Sequence, residues 1–341
     1  MSDPVREVER QVVAFREVFA RIETEIGKVI VGHREVVRET LLCLFCGGHV
    51  LLEGVPGLGK TLLVKVLARC LDLTFSRIQF TPDLMPADII GTNVVVEDPG
   101  GRRQFQFQRG PLFGQVILAD EVNRATPKTQ SALLEAMQEL TVTVGRSQHA
   151  LERPFFVLAT QNPIEMEGTY PLPEAQLDRF FFKLKVRYPS RAELGEIVER
   201  TTAAAEENLA RVLSGPLVEE HKALVRAVPI ASHVRDHAAL LTLMTHPNSP
   251  EALASVRKYV RYGSSPRGTQ ALVLAGKAVA LLAGRFHVSM EDLHRVAYPA
   301  LRHRLILSFE GEAERIDPDD LIGEILGAAK QAETAARDAL A

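Results

Sequence analysis

The chain reads as an α/β protein: a three-layer domain around a five-stranded parallel sheet, followed by an α-helical lid domain. Three observations predict this. Five short apolar runs, at 49–53, 75–80, 116–120, 155–160 and 181–186, are spaced by helical or loop segments. A glycine-rich loop, Gly54-Val55-Pro56-Gly57-Leu58-Gly59-Lys60-Thr61, directly follows the first run. Beyond Ser190 the strand signals fade and helical patterns dominate. Buried parallel strands are near-continuously apolar because helices cover both faces. Strands alternating with helices imply a layered domain. The change of pattern near Arg187-Tyr188-Pro189-Ser190 divides the chain into 1–187 and 188–341.

Composition narrows the function classes. A chain of 341 residues with 46% hydrophobic and 24% charged residues has material for two globular domains. A net charge of −3 without blocks of one sign disfavours a nucleic-acid binder. The polar N-terminus carries no apolar signal region, and no run of 18 apolar residues exists. A cytoplasmic protein is expected. The three cysteines fit a reducing compartment. Cys43 and Cys46 form a C-x-x-C, but no second pair follows at zinc spacing. Flanked by Leu41, Leu42, Leu44 and Phe45, they read as small apolar residues of a buried helix.

The elements follow in order. Val5, Val8, Val12, Phe15, Phe19, Ile22 and Ile26 recur in steps of three and four, which places them on one stripe of a helix packed on its own domain. The short segment Ile30-Val31-Gly32-His33 ends in glycine and histidine. The strand at 49–53 leads into the glycine-rich loop, which matches G-x-x-x-x-G-K-[ST] in full, and a helix follows from Thr61. Gly54, Pro56, Gly57, Leu58, Gly59, Lys60, Thr61 and Leu62 are therefore candidate phosphate-binding positions. The glycines let backbone amides turn inward, and the helix adds its N-terminal amides and the positive end of its dipole. Lys60 supplies a point charge for the β- and γ-phosphates, and Thr61 a hydroxyl for Mg²⁺.

The strand at 116–120 ends in Asp120 and Glu121, sixty residues past Lys60. Ligands of open parallel sheets collect at the carboxyl ends of strands. Asp120 is thus a candidate for holding Mg²⁺, directly or through water, and Glu121 for polarising the attacking water. Asn162 ends the next apolar strand, before Pro163. It is placed to orient that water or touch the γ-phosphate. Two hairpins interrupt the core. One flanks Asp98-Pro99-Gly100-Gly101 and the other Gly145-Arg146-Ser147, both good turn sequences.

Helices are expected at 191–205, 217–227, 232–245, 250–262, 266–283, 289–303 and 317–341. In Ser264-Ser265-Pro266-Arg267-Gly268, Ser265 suits an N-cap and Pro266 the first helical position. Arg267 then sits in a first turn, where the dipole disfavours a cation; a bound anion relieves that conflict. Arg179, in Gln176-Leu177-Asp178-Arg179-Phe180, precedes the last strand. His233 and His237 lie four apart on a helix but lack an acidic partner, and read as surface residues.

Together these segments resemble the MoxR family of AAA+ ATPases, of the clade with a helix-2 insert. The resemblance is carried by the glycine-rich loop, by Leu118-Ala119-Asp120-Glu121-Val122-Asn123-Arg124-Ala125, by Ser131 through Glu139, by Ala159-Thr160-Gln161-Asn162-Pro163 and by Glu167 through Phe180. It implies that Lys60 and Thr61 are Walker A residues, Asp120 and Glu121 Walker B, Asn162 sensor 1 and Arg267 sensor 2. It implies that Arg179 is an arginine finger for a neighbouring subunit's nucleotide, and that Val31 and Gly32 flank adenine. The two hairpins resemble the helix-2 insert and the presensor-1 hairpin. The family fold is an AAA+ domain with a helical lid, its cofactors are ATP and Mg²⁺, and its members form homo-oligomeric, hexameric rings. They are chaperone-like proteins that act with von Willebrand factor A domain proteins in maturing or activating other complexes. A finger supplied from next door contributes on the order of 10³ to 10⁵ in rate. No departure from the motifs suggests an inactive ATPase. Two other readings stand beside this one: a nucleotide-gated assembly switch, and a DNA-directed motor that the near-neutral charge disfavours.

Overall fold

The structure, a computed structural model, describes residues 4–97, 101–162, 169–202 and 208–338. Contacts group the chain into two compact units: residues 18–173 with 184–221, and residues 1–17 with 174–183 and 222–341.

The first unit is built on a parallel sheet. Along the chain the strands are β1 (Val50–Glu53), β2 (Phe75–Gln79), β3 (Gly91–Glu97), β4 (Arg103–Arg109), β5 (Val116–Asp120), β6 (Thr141–Val144), β7 (Ser147–Ala150), β8 (Phe156–Gln161) and β9 (Phe182–Lys185). The sheet order is β2-β5-β8-β1-β9. This is the five-stranded, three-layer α/β architecture that the apolar runs predict. Val50, Leu51, Leu52, Val116, Ile117, Leu118, Val157, Leu158 and Ala159 are fully buried, as expected of strands covered on both faces. β3–β4 and β6–β7 are the two antiparallel hairpins.

Helices α2 (Arg34–Cys46), α3 (Lys60–Cys70), α4 (Pro86–Ile90), α5 (Pro127–Glu139) and α7 (Arg191–Thr202) belong to this unit, α1 (Pro4–Val29) and α8 (Gly215–Ala227) are divided between the two units, and α6 (Glu174–Leu177) belongs to the other. On α1 the stripe from Val12 through Phe15, Phe19 and Ile22 to Ile26 is buried. All three cysteines are buried. The pair Cys43 and Cys46 is therefore core.

The second unit is mainly helical: α9 (Ser232–Leu243), α10 (Ala254–Tyr259), α11 (Pro266–Leu282), α12 (Met290–Leu301), α13 (Phe309–Ala313) and α14 (Pro318–Asp338). One expectation is corrected here. The helix predicted at 250–262 is only the six-residue α10. Val260–Tyr262 instead forms β10, paired antiparallel with β11 (Ile306–Leu307). Val, Arg and Tyr tolerate either state, and a partner over forty residues away in sequence decides between them. A second correction concerns His237. It is buried, and its Nε2 lies 2.8 Å from Nε2 of His294 rather than facing solvent with His233.

Candidate functional site

β1 ends at Glu53, and the chain turns through residues 54–59 into α3. Gly57 and Gly59 hold φ of 85° and 75°, a left-handed backbone that costs other residues about 1–2 kcal/mol each. A Cβ on Gly54 would stand 2.9 Å from the carbonyl oxygen of Val186, so this position too is confined to glycine. Lys60 opens α3, and its Nζ donates to the carbonyl of Gly54 at 2.5 Å. Burial lowers the Lys60 pKa, while the nearby charges of Asp120 and Glu121 pull it back up. β1 and β5 both lie beside β8 in a parallel sheet, so the loop carrying Lys60 and the strand end carrying Asp120 and Glu121 stand at the same edge. Thr61 and Leu62 occupy the first turn beside it.

The acidic pair is set by sheet register. β5 and β8 pair in parallel with Ala119 beside Ala159, so Asp120 falls next to Thr160. Thr160 Oγ1 donates to Asp120 Oδ1 at 2.7 Å and accepts from the N–H of Glu121 at 2.8 Å. Glu121 has φ 57° and ψ 50°. A non-glycine residue in this conformation stores on the order of 1–3 kcal/mol, an expense typical of functional positions. Gln79 Nε2 donates to Glu121 Oε2 at 2.8 Å, and Arg124 Nη1 donates to the same oxygen at 3.0 Å. Asp120 Oδ2 accepts from Arg77 Nη2 at 2.8 Å. Asn162 follows β8 directly and is 6% exposed. Lys60, Thr61, Asp120, Glu121 and Asn162 thus gather at the carboxyl end of the sheet. A hydroxyl and a carboxylate form a hard oxygen set that fits Mg²⁺.

Beside the phosphate loop lies a cavity of about 360 Å³, lined by Val31, His33, Leu58, Leu63, Tyr188 and Ile197 among others. Its size and apolar walls suit a small planar ligand. Gly32 and His33 both take left-handed backbone, φ 68° and 52°, between α1 and α2. A Cβ on Gly32 would lie 2.3 Å from Glu193 Oε1, so glycine permits that close approach.

Arg179 and Arg267 belong to the other unit. Ser265 caps α11 as predicted, its Oγ accepting from the N–H of Arg267 at 3.1 Å. Asp178 Oδ2 lies 3.6 Å from Arg267 Nη1. The adverse helix dipole at Arg267 is therefore offset by a carboxylate from the turn that carries Arg179.

Sequence reasoning missed Arg77, Gln79, Thr160, Asp178 and Arg304. For Arg77 and Gln79 a weak signal existed: two polar residues spaced by two lie on one strand face. Thr160 carried none, because its role depends on register.

The fold and this site define an AAA-type P-loop nucleotide-binding protein. Residues 49–182 match the ATPase family associated with various cellular activities (AAA), and residues 253–325 match the AAA lid domain. The chain is 43% identical over 308 residues to Chaperone MoxR1 of Mycobacterium tuberculosis, covering 89% of this chain and 79% of that protein. It is 32% identical to Protein MoxR of Paracoccus denitrificans, covering 88% and 92%. A crystal structure of a candidate ATPase from Cytophaga hutchinsonii superposes with a TM-score of 0.87 at 40% identity, covering 94% of this chain and 97% of that one. The chain belongs to the MoxR family of AAA+ ATPases.

Proposed function

We propose that the protein hydrolyses ATP with Mg²⁺ and uses the cycle to remodel, mature or activate other protein complexes. The observation that carries the reading is the gathering of Lys60, Thr61, Asp120, Glu121 and Asn162 around one sheet end, beside a cavity sized for a base. Gly54, Pro56, Gly57, Leu58 and Gly59 cradle the phosphates, Leu62 lies against them in the first turn, and Val31 and Gly32 flank adenine. Lys60 neutralises the β- and γ-phosphates. Thr61 and Asp120 hold Mg²⁺, which offsets charge on the phosphoryl oxygens when bound. Glu121 takes the proton of the attacking water, and Asn162 orients that water. Arg267 is the lid's cation for the phosphates, and Arg179 the cation offered to the adjacent subunit.

The name of the Mycobacterium relative, a chaperone, supports the role on protein complexes. The proposed assembly is a hexameric ring acting with a von Willebrand factor A domain partner in the cytoplasm. Residues 1–187 form its nucleotide-binding domain and 188–341 its lid. Among the described residues no helix is long and apolar enough to cross a membrane. ATPase rate per protomer, followed against protein concentration, tests the shared site. A rate that falls on dilution supports it, and a constant rate leaves only a one-subunit ATPase.

One observation favours the second reading, a nucleotide-gated assembly switch. Glu121 is engaged by two donors, Gln79 and Arg124, so the base is restrained until they release it. A Glu121→Gln protein that binds ATP and still performs the cellular task establishes the switch.

A further inference from the structure

We propose that Arg304 and Asp178 are positioning residues for Arg179, fixing it through the backbone on both of its sides. The inference rests on the cross-subunit reading above and names what that reading leaves open, namely how the finger is aimed. Arg179 lies in the turn after the four-residue α6. Its guanidinium has no hydrogen-bond or ion-pair partner among the described residues. The carbonyls on either side of it are held. Arg304 Nη2 donates to the carbonyl of Asp178 at 3.1 Å and to that of Phe180 at 2.8 Å. One nitrogen thus bridges the carbonyl of the residue before Arg179 and that of the residue after it. Arg304 Nη1 donates to the carbonyls of Phe181, at 3.2 Å, and Ala300, and Nε to Asp178 Oδ1 at 2.9 Å. His303 Nε2 donates to the Phe180 carbonyl at 2.9 Å. The Asp178 carboxylate also accepts from Ser265 Oγ, 2.9 and 2.8 Å from its two oxygens.

The target of these bonds is what separates aiming from ordinary packing. Phe180 and Phe182 are fully buried and already anchor the segment. Arg304, itself 5% exposed, adds a rigid planar fork whose donors converge on the peptides around one partly exposed arginine. The two bonds of its Nη2 hold the backbone on either side of Arg179, from which that side chain projects. Lysine, with a point charge on a flexible stem, cannot reproduce the geometry. Because Arg267 lies against the same carboxylate at 3.6 Å, Asp178 also ties the turn of Arg179 to the first turn of α11.

The test mixes two full-length proteins. Asp178→Asn keeps the volume of the side chain and its bond to Ser265; Arg304→Lys is the second variant. Each is expected to melt at a lower temperature, because a buried pair loses a partner, but to stay folded at the assay temperature and to bind a fluorescent ATP analogue there. Alone, each loses on the order of 10²-fold in turnover, the effect of displacing a reacting group by about 1 Å. The Glu121→Gln protein is inactive but carries an intact finger. Mixing it with Asp178→Asn therefore restores activity several-fold above the sum of the two, because intact sites meet intact fingers. Arg179→Ala mixed with Glu121→Gln is the control. Control restored with Asp178→Asn not restored overturns the positioning role and keeps the shared site. Control not restored overturns the shared site and this inference with it. Folded Asp178→Asn with full activity also overturns it.

Discussion

Thr160 Oγ1 donates to Asp120 at 2.7 Å while it accepts from the N–H of Glu121 at 2.8 Å. One buried hydroxyl, 1% exposed, therefore orients both members of the acidic pair. Thr160→Val keeps the shape and removes both bonds. An unsatisfied buried amide costs about 1–3 kcal/mol, so the urea midpoint falls accordingly. The Mg²⁺ concentration for half-maximal turnover should rise in the same variant. An unchanged midpoint and Mg²⁺ dependence contradict the orienting role.

The proposed function puts the base in the cavity beside the phosphate loop. Ile197, on α7, lines it. Ile197→Trp narrows the cavity without touching the loop. Competition binding should show a roughly tenfold weaker Kd for ATP, about 1.4 kcal/mol, and no change for inorganic tripolyphosphate. Equal weakening of both ligands places the base elsewhere.

His303 ties stability to pH. Burial, reinforced by the charge of Arg304, holds its pKa well below 6.5. The folded state thus keeps the ring neutral, with Nε2–H donating to the Phe180 carbonyl. As pH falls below 6.5 the unfolded chain takes up a proton that the folded one refuses, so stability is lost in that direction. The loss reaches about 1.4 kcal/mol one unit below 6.5. Gln at this position places an amide donor near Nε2 and cannot titrate. His303→Gln should show a correspondingly shallower drop in urea midpoint between pH 7.5 and 5.5. Parallel curves for the two proteins refute the account.

The parts legible in the sequence were those whose physics is local. The phosphate loop could be read because loop, lysine and helix are contiguous. Asp120 and Asn162 could be placed because a parallel sheet gathers its strand ends. The lid's first turn was legible from Ser265 and Pro266. What escaped depends on distant neighbours. Gln79 meets Glu121 only because β2 lies beside β5, and the strand order of a sheet is not written in any one strand. Arg304 reaches back more than a hundred residues to Asp178. β10 exists because residues 306–307 pair with it. His237, too, reads as a surface residue until His294 is seen against it.

The central claim is that Glu121, at the end of β5, drives cleavage of ATP bound at Lys60. The most direct measurement is phosphate release in a single turnover, with nucleotide retention followed in parallel, for the native protein and Glu121→Gln. Loss of a general base lowers the rate by on the order of 10²- to 10⁴-fold. The account predicts that both proteins retain Mg²⁺-ATP and that only the native one releases phosphate at an appreciable rate. Native protein that holds no adenine nucleotide, or Glu121→Gln that releases phosphate as fast as the native protein, contradicts it.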